Sequence, residues 1–289
     1  MNYIYHLLIY FEIYAIVAMS LNLLIGYGGL LQVAHAAYYG VGAYAAALLW
    51  TKLGLGFFPG LLAGALTAAA LSLLVSLPAW RFKGDYFVMI SIAVQTLLYA
   101  VLYNWTDLTN GPFGISGISR PVIIDYSFVT TGSITVLYGG LALGLGMVMA
   151  LLKWSPFGRA LQAMRDDELA ARSVGIPVDW LKLQAFALAS AMVGIAGGLY
   201  AAYVSYIDPT SFSLNESILM LSMVIVGGTG NVRGPLIGAA VLILLPEALR
   251  FLHLPDAVAA NVRLLAYGLL LVVMMHLRPQ GLAGTYRYQ

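Results

Sequence analysis

The sequence predicts an all-α fold, a polytopic membrane helical bundle of about 8–9 transmembrane segments, and three observations carry that expectation. Of 289 residues, 61% are hydrophobic and 9% charged, where a soluble domain averages roughly a quarter charged residues. Four stretches, Ile13 to Thr51, Leu53 to Trp80, Tyr126 to Leu152 and Leu183 to Ile207, contain no Asp, Glu, Lys or Arg. Each exceeds the ~20 residues that a helix needs to cross about 30 Å of hydrocarbon. A β-barrel would instead need alternating segments of about ten residues, and none run here.

The expected elements follow in chain order. The first, Tyr5 to Ile25, has no Lys or Arg before its apolar run and carries Glu12 inside it. A cleaved signal peptide has a basic start and a small-residue cleavage site, so this segment reads as a retained helix, with Glu12 reaching the interface. The second, Leu30 to Trp50, is crowded with Gln32, His35, Gly40 and Gly42, which makes it a suspect simple span. Pro59 to Trp80, Tyr86 to Tyr103, Ser133 to Leu152 and Leu181 to Ile207 follow as longer apolar helices. The seventh, Ser217 to Val226, is short and opens on Glu216, a charge favoured at a helix N-terminus. It runs into "VGGTGNVRGP", a breaker cluster whose Gly227, Gly228, Gly230 and Gly234 predict a broken or re-entrant helix. Pro235 to Leu252 and Val262 to Leu277 complete the set. Residues 1–289 read as one transmembrane domain with a charged loop at 153–180.

Basic residues near helix ends orient such a chain. Lys153, Arg159, Arg165, Arg172 and Lys182 form the densest group, Arg81 with Lys83 a second, and Arg278 with Arg287 a third. Nine crossings put all three on one face, which is then cytoplasmic. Lys52, the N-terminus and the loop "NWTDLTNGPFGISGISRP" fall outside. Arg250 and Arg263 fall outside too, against the rule, unless the seventh segment is re-entrant. "IGYGGLLQVAHAAYYGVGAY" and "VGGTGNVRGPLIGAAV" both set a glycine cluster before a small-residue helix. This is either an internal repeat of the kind transporters contain or the ordinary abundance of Gly and Ala in packed membrane helices.

Several chemistries are excluded or weakened. The net charge is +2 with no cysteine, which removes disulfides and thiolate sites, and no basic-aromatic run suggests nucleic acid. Asp166-Asp167-Glu168 lacks the second acidic cluster that Mg²⁺ chemistry on a diphosphate needs, so no metal site is expected. No GxxxxGK[ST] occurs, so ATP and its Mg²⁺ belong to other chains and this chain binds no cofactor itself. Among the histidines, His35 stands out. Gln32 lies one turn before it and Tyr38 and Tyr39 one turn after, a polar face that suits either a translocation path or hydrogen-bonded interhelical glue.

The segment "SPFGRALQAMRDDELAARSVGIPVDW" holds seven of the 26 charged residues. Ser155-Pro156 opens a helix, Arg159 to Ser173 continues it, and Gly175-Ile176-Pro177 ends it. Ala160, Met164, Ala171 and Val174 share one face, opposite Arg159, Arg165, Asp166, Glu168 and Arg172. Too short and too charged to span, it lies at the cytoplasmic surface, either as a plain loop helix or as a docking helix for a soluble partner.

"ELAARSVG" resembles the E-A-A-x-x-x-G motif of ABC importer permeases, with Leu169 as an extra residue. "SPFGRALQAMRDDELAARSVGI", "LNLLIGYGGLLQVAHAAYYGVGAYAAAL", "VGGTGNVRGPLIGAAVLILLPEALR" and "LRPQGL" resemble, in family order, segments of the M-type branched-chain amino acid permeases. The resemblance implies a non-enzymatic permease subunit in a bacterial cytoplasmic (inner) membrane. It also implies a second, H-type permease subunit, two cytoplasmic ATPase subunits and an extracytoplasmic solute-binding protein. Arg159, Arg165, Asp166, Glu168, Ala171, Arg172 and Gly175 would couple to an ATPase, and leucine, isoleucine and valine would be the solutes. A permease for urea or another small polar solute, and a stand-alone secondary transporter or membrane enzyme, are the alternatives.

Overall fold

A computed structural model describes residues 2–82, 84–123, 126–250, 256–278 and 280–284. Lys83, Leu252 and Arg287, which entered the expected boundaries and orientation, and Pro279 of "LRPQGL" lie outside them. The helices in chain order are α1 (Asn2–Asn22), α2 (His35–Lys52), α3 (Phe57–Leu71), α4 (Leu73–Ser76), α5 (Asp85–Asn104), α6 (Thr106–Thr109) and α7 (Thr131–Trp154). They continue with α8 (Pro156–Asp166), α9 (Glu168–Ser173), α10 (Val178–Val204), α11 (Leu214–Gly227), α12 (Arg233–Arg250) and α13 (Asp256–Leu277). Each of the nine expected apolar segments contains a helix. Among the described residues, five helical stretches are long and apolar enough to cross a membrane: Tyr3–Tyr27, Phe57–Ser76, Asp85–Asn104, Thr131–Trp154 and Val178–Val204.

Helix α10 is the centre of the bundle, packed on α2, α3 and α1, while α11 and α12 pair beside α1, and α7 packs along α1. Burial follows that order. Of the most apolar 18-residue window, 72% is buried in α1 and in α10, but only 17% in α7, so α7 presents most of its surface to lipid or to another chain. Glycine sets the close approach at the centre. A methyl group at Gly194 of α10 would sit 2.5 Å from the Gly64 carbonyl oxygen of α3, and one at Gly64 would sit 2.7 Å from the Gly42 carbonyl oxygen of α2. Only a hydrogen lets three backbones converge there, the usual role of small residues where membrane helices touch.

Three expected elements differ, each for a local reason. The second segment starts five residues late. Gly29 turns the chain at φ +67°, and the Gln32 side chain then takes the Ala34 N–H at 2.6 Å, competing with helical bonding. The third segment divides into α3, α4 and a 3₁₀ turn at Pro78–Trp80. The charged loop is two helices rather than one. Asp167 sits extended at φ −156°, and its side chain accepts from the Leu169 and Ala170 N–H groups, so it caps α9 and thereby ends α8.

At the end opposite α8 and α9, the Gly/Thr/Ser-rich segment forms α6 and short antiparallel ribbons. Ile115–Ser116 pairs with Tyr206–Ile207, and Val122–Ile123 with Tyr126–Ser127. From there the chain at 208–213 turns inward, and Phe212 meets Gly40, Tyr39 and Tyr44 of α2. Helix α11 therefore begins beside the middle of α2, and its 14 residues reach only the α8–α9 end.

Candidate functional site

The α8–α9 loop is wired into the bundle. Arg159 Nη1 donates to the Trp154 carbonyl at 2.7 Å, a last-turn carbonyl of α7 that would otherwise lack a partner. Arg165 Nη1 donates to the Gly26 carbonyl at 2.5 Å, where α1 unwinds into a π-turn at Leu23–Tyr27. The Arg165 stem also packs on Gly29, whose missing Cβ would fall 2.8 Å from Arg165 Cγ. Asp166 pairs with Arg165 at 3.0 Å from an exposed position. Helix α8 thus grips the end of α1.

Helix α9 grips α10. Glu168 Oε1 accepts from Arg172 Nη2 at 3.1 Å and from Lys182 Nζ at 3.2 Å, and Lys182 also donates to the Ala79 carbonyl at 3.0 Å. Arg172 reaches on to Asp179 at 2.5 Å, and hydrogen bonds to Asp179 and then Glu168 hold its guanidinium above the usual arginine range. Ala171 is buried under this net. Gly175, at φ +86°, turns the chain into α10, a conformation that costs any branched residue. Val174, expected to share one face with Ala160, Met164 and Ala171, is 76% exposed where Met164 and Ala171 are buried, and Leu169 is 74% exposed. The outer surface at α9 therefore carries large apolar side chains, and of the five charges expected to face outward Arg165 and Glu168 are turned in while Arg159, Asp166 and Arg172 stay exposed.

The polar group at the start of α2 lies inside the bundle. Gln32, His35, Tyr38 and Tyr39 are all fully buried. The His35 ring joins Ser20 Oγ through Nε2 at 2.8 Å and Gln32 Nε2 through Nδ1 at 3.0 Å. Tyr38 stands edge-on to His35, while Tyr39 turns away to Tyr200 and Phe212. The structure thus brings Gln32, His35 and Tyr38 together and separates Tyr39.

Around them lie residues that the sequence reading missed. The first N–H groups of a helix have no partner within it, and around the start of α2 side chains of other helices reach such groups. Val33 N–H donates to Ser91 Oγ at 2.9 Å, Ala36 N–H to Ser217 Oγ at 2.9 Å, and Ala37 N–H to Gln95 Oε1 at 2.8 Å. Gln95 Nε2 continues to the Phe212 carbonyl at 2.9 Å, and Ser217 Oγ donates to Gln95 Oε1 at 3.1 Å. Ser91 and Gln95 stand four apart in an apolar helix, one stripe that spacing alone could have revealed.

The glycine cluster forms a second interruption. Gly228 and Gly230 take φ +96° and +88° between α11 and α12, while Gly227 and Gly234 remain helical. Gly227 is needed for contact, since a methyl there would lie 2.7 Å from the Gly234 carbonyl carbon. Asn22 of α1 holds the turn, donating to the Asn231 carbonyl at 2.9 Å. Asn231 Oδ1 accepts from Gly234 N–H at 2.6 Å and so caps α12. The chain after α13 closes the turn through Leu282 N–H to the Val226 carbonyl and Ala283 N–H to the Gly227 carbonyl, each at 2.9 Å. Both interruptions sit at the α8–α9 end, next to each other at Gly26 and Gly230. Among the described residues no group of three His, Asp or Glu could hold a metal ion.

The chain is similar to several curated permease proteins. It is 34% identical over 300 residues to the high-affinity branched-chain amino acid transport system permease protein LivM of Escherichia coli K12, covering 96% of this chain and 69% of the relative. It is 24% identical over 286 residues to the permease protein LivH of the same transport system and organism, covering 94% and 91%. A chain in the structure of PsaBC from Streptococcus pneumoniae in complex with Fab aligns over 95% of this chain and 91% of that chain, with 16% identity and a TM-score of 0.47. The family described as branched-chain amino acid transport system / permease component matches residues 3–275, and the chain belongs to that family.

Proposed function

We propose that the chain is a transmembrane permease subunit of an ATP-driven importer that carries leucine, isoleucine and valine across a bacterial cytoplasmic membrane. Its partners in this reading are a second, H-type permease, two cytoplasmic ATPases that bind ATP and Mg²⁺, and an extracytoplasmic solute-binding protein. One observation carries the mechanism: α8 and α9, too short to span, are hydrogen-bonded to the ends of α1 and α10, so a push on this loop moves two of the most buried helices. The apolar outer face that Leu169 and Val174 form at α9 suits a protein groove better than water, and the exposed Asp166 at the end of α8 is placed to meet a charge in that groove. Arg159 and Arg172 border that face, Ala171 and Gly175 shape the loop behind it, and this end is cytoplasmic.

The solute path in this reading runs along the start of α2, with Gln32, His35, Tyr38 and Tyr39 on its border. These side chains are closed off in the present conformation and open when α2 parts from α1 and α11. A cysteine at Tyr38 in this cysteine-free chain then reacts with a small hydrophilic reagent during ATP turnover and not in its absence. Reaction in neither condition removes these residues from the path. The subunit reading itself is tested by purifying a tagged form of this chain from cells co-expressing the proposed partners. ATPase subunits and solute-stimulated hydrolysis should accompany it, and a chain recovered alone refutes the reading.

A further inference from the structure

The carboxylate of Glu168 has a second role available to it, visible from what it touches. Lys182 is only 2% exposed, and a buried ammonium is costly unless paired. Its partners include Glu168 at 3.2 Å and the Ala79 carbonyl at 3.0 Å. If Glu168 swung outward to meet another protein, Lys182 would lose the carboxylate that lies 3.2 Å from its ammonium. The same carboxylate also holds Arg172, which holds Asp179 in the first turn of α10. These groups join α9, the start of α10 and the 3₁₀ turn Pro78–Trp80 that ends the α3–α4 segment.

Helix α8 is attached elsewhere, through Arg165 to the Gly26 carbonyl at the end of α1. Between the two attachments lies Asp167, extended and non-helical. The loop is therefore two levers meeting at one joint, one acting on α1 and the other on α10.

We infer that Glu168 is an internal latch that ties α9 to Lys182 of α10 and the Ala79 carbonyl, passing motion of the loop to the central helix, rather than a contact for the ATPase. This rests on the permease reading above. In it, Leu169 and Val174 make the outward contact, and Glu168 is a positioning residue acting through Lys182. Loss of the latch leaves the ATPase bound but lets α9 move without α10.

The test uses the full complex in vesicles with Glu168→Gln, Lys182→Met and the double variant, and measures ATPase co-purification, hydrolysis and solute moved per ATP. Each single variant should retain the ATPase while solute per ATP falls about fivefold or more, the lower bound of ordinary coupling between sites. The double should lose less than the two singles combined, because the Glu168–Lys182 contact is already lost in each. Glu168→Asp, with a shorter reach, gives an intermediate loss and covers the case in which a single variant fails to fold. Release of the ATPase by Glu168→Gln but not by Lys182→Met overturns the latch, as does an unchanged ratio in both or full additivity in the double. If the parent complex shows no ATP-dependent uptake, the importer reading fails separately. The latch is then decided by melting of the detergent-solubilised full chain, where non-additive shifts support it and additive shifts refute it.

Discussion

Replacing Gln95 by Leu removes the hub that lets α2 start inside the bundle. The side chain is fully buried; it accepts from Ala37 N–H at 2.8 Å and Ser217 Oγ at 3.1 Å and donates to the Phe212 carbonyl at 2.9 Å. These three losses are unequal. Ala37 N–H keeps a second acceptor, the Ala34 carbonyl at 3.2 Å, and Ser217 Oγ still accepts from Ala36 N–H. The Phe212 carbonyl loses its side-chain donor outright, and a buried group left unsatisfied costs about 1–3 kcal/mol. The other two are ordinary interhelical bonds, which average about 0.6 kcal/mol in membrane proteins. Together these give a destabilisation of about 2–4 kcal/mol, and leucine is close enough in size to leave little cavity. The assay is reversible unfolding of the purified chain in mixed detergent micelles, with Thr96→Leu as control. The Thr96 hydroxyl is exposed and bonds within its own helix at 3.0 Å, so the control should stay within about 0.5 kcal/mol of the parent. A Gln95→Leu variant as stable as that control refutes the argument that these bonds hold the start of α2.

Three further outcomes follow from single positions. Gly194→Ala places a methyl 2.5 Å from the Gly64 carbonyl oxygen and 2.8 Å from Ala68 Cβ, so it should cost about 1–3 kcal/mol by overpacking, whereas Gly140→Ala, with open space around it, should be neutral in the same unfolding assay. Gly175→Val faces no neighbour within 4 Å but sits at φ +86°, so its cost is backbone strain of about 1–2 kcal/mol. Hydrogen exchange should quicken across α9 and leave α3 unchanged. Asn22→Leu takes the donor from the Asn231 carbonyl, and protease should then cut at 228–232 in a chain whose α1 and α10 remain protected; an uncut turn shows that Asn22 does not hold it.

Much of the fold was legible because the membrane imposes a simple rule, apolar runs of sufficient length, and the runs ending at Trp80, Leu152 and Ile207 each contain a helix long enough to cross. Glycine clusters marked both interruptions for the same reason that they form them: Gly29, Gly228 and Gly230 take backbone angles that other residues avoid. The side-chain wiring was not legible. Glu168 reads as an outward charge on a short amphipathic helix, and only the fold shows Lys182, fourteen positions later, turned back beneath it. Asp167 looked like the middle of an acidic run, yet its extended backbone and capping bonds divide the loop. Gln95 and Ser217 lie 122 positions apart, and nothing local says that both close the start of α2. Leu169 seemed an intrusion into a motif, but its exposure makes it the outer surface of α9.

The most direct test of the account is uptake of labelled leucine, isoleucine and valine into vesicles holding the complex built around this chain, with solute-binding protein outside and ATP inside. The account predicts accumulation that needs ATP and the binding protein and that is competed by the other two amino acids. It also predicts that Glu168→Gln hydrolyses ATP with little uptake. Uptake that persists without ATP or any ATPase subunit, or accumulation of urea in place of these amino acids, would contradict it.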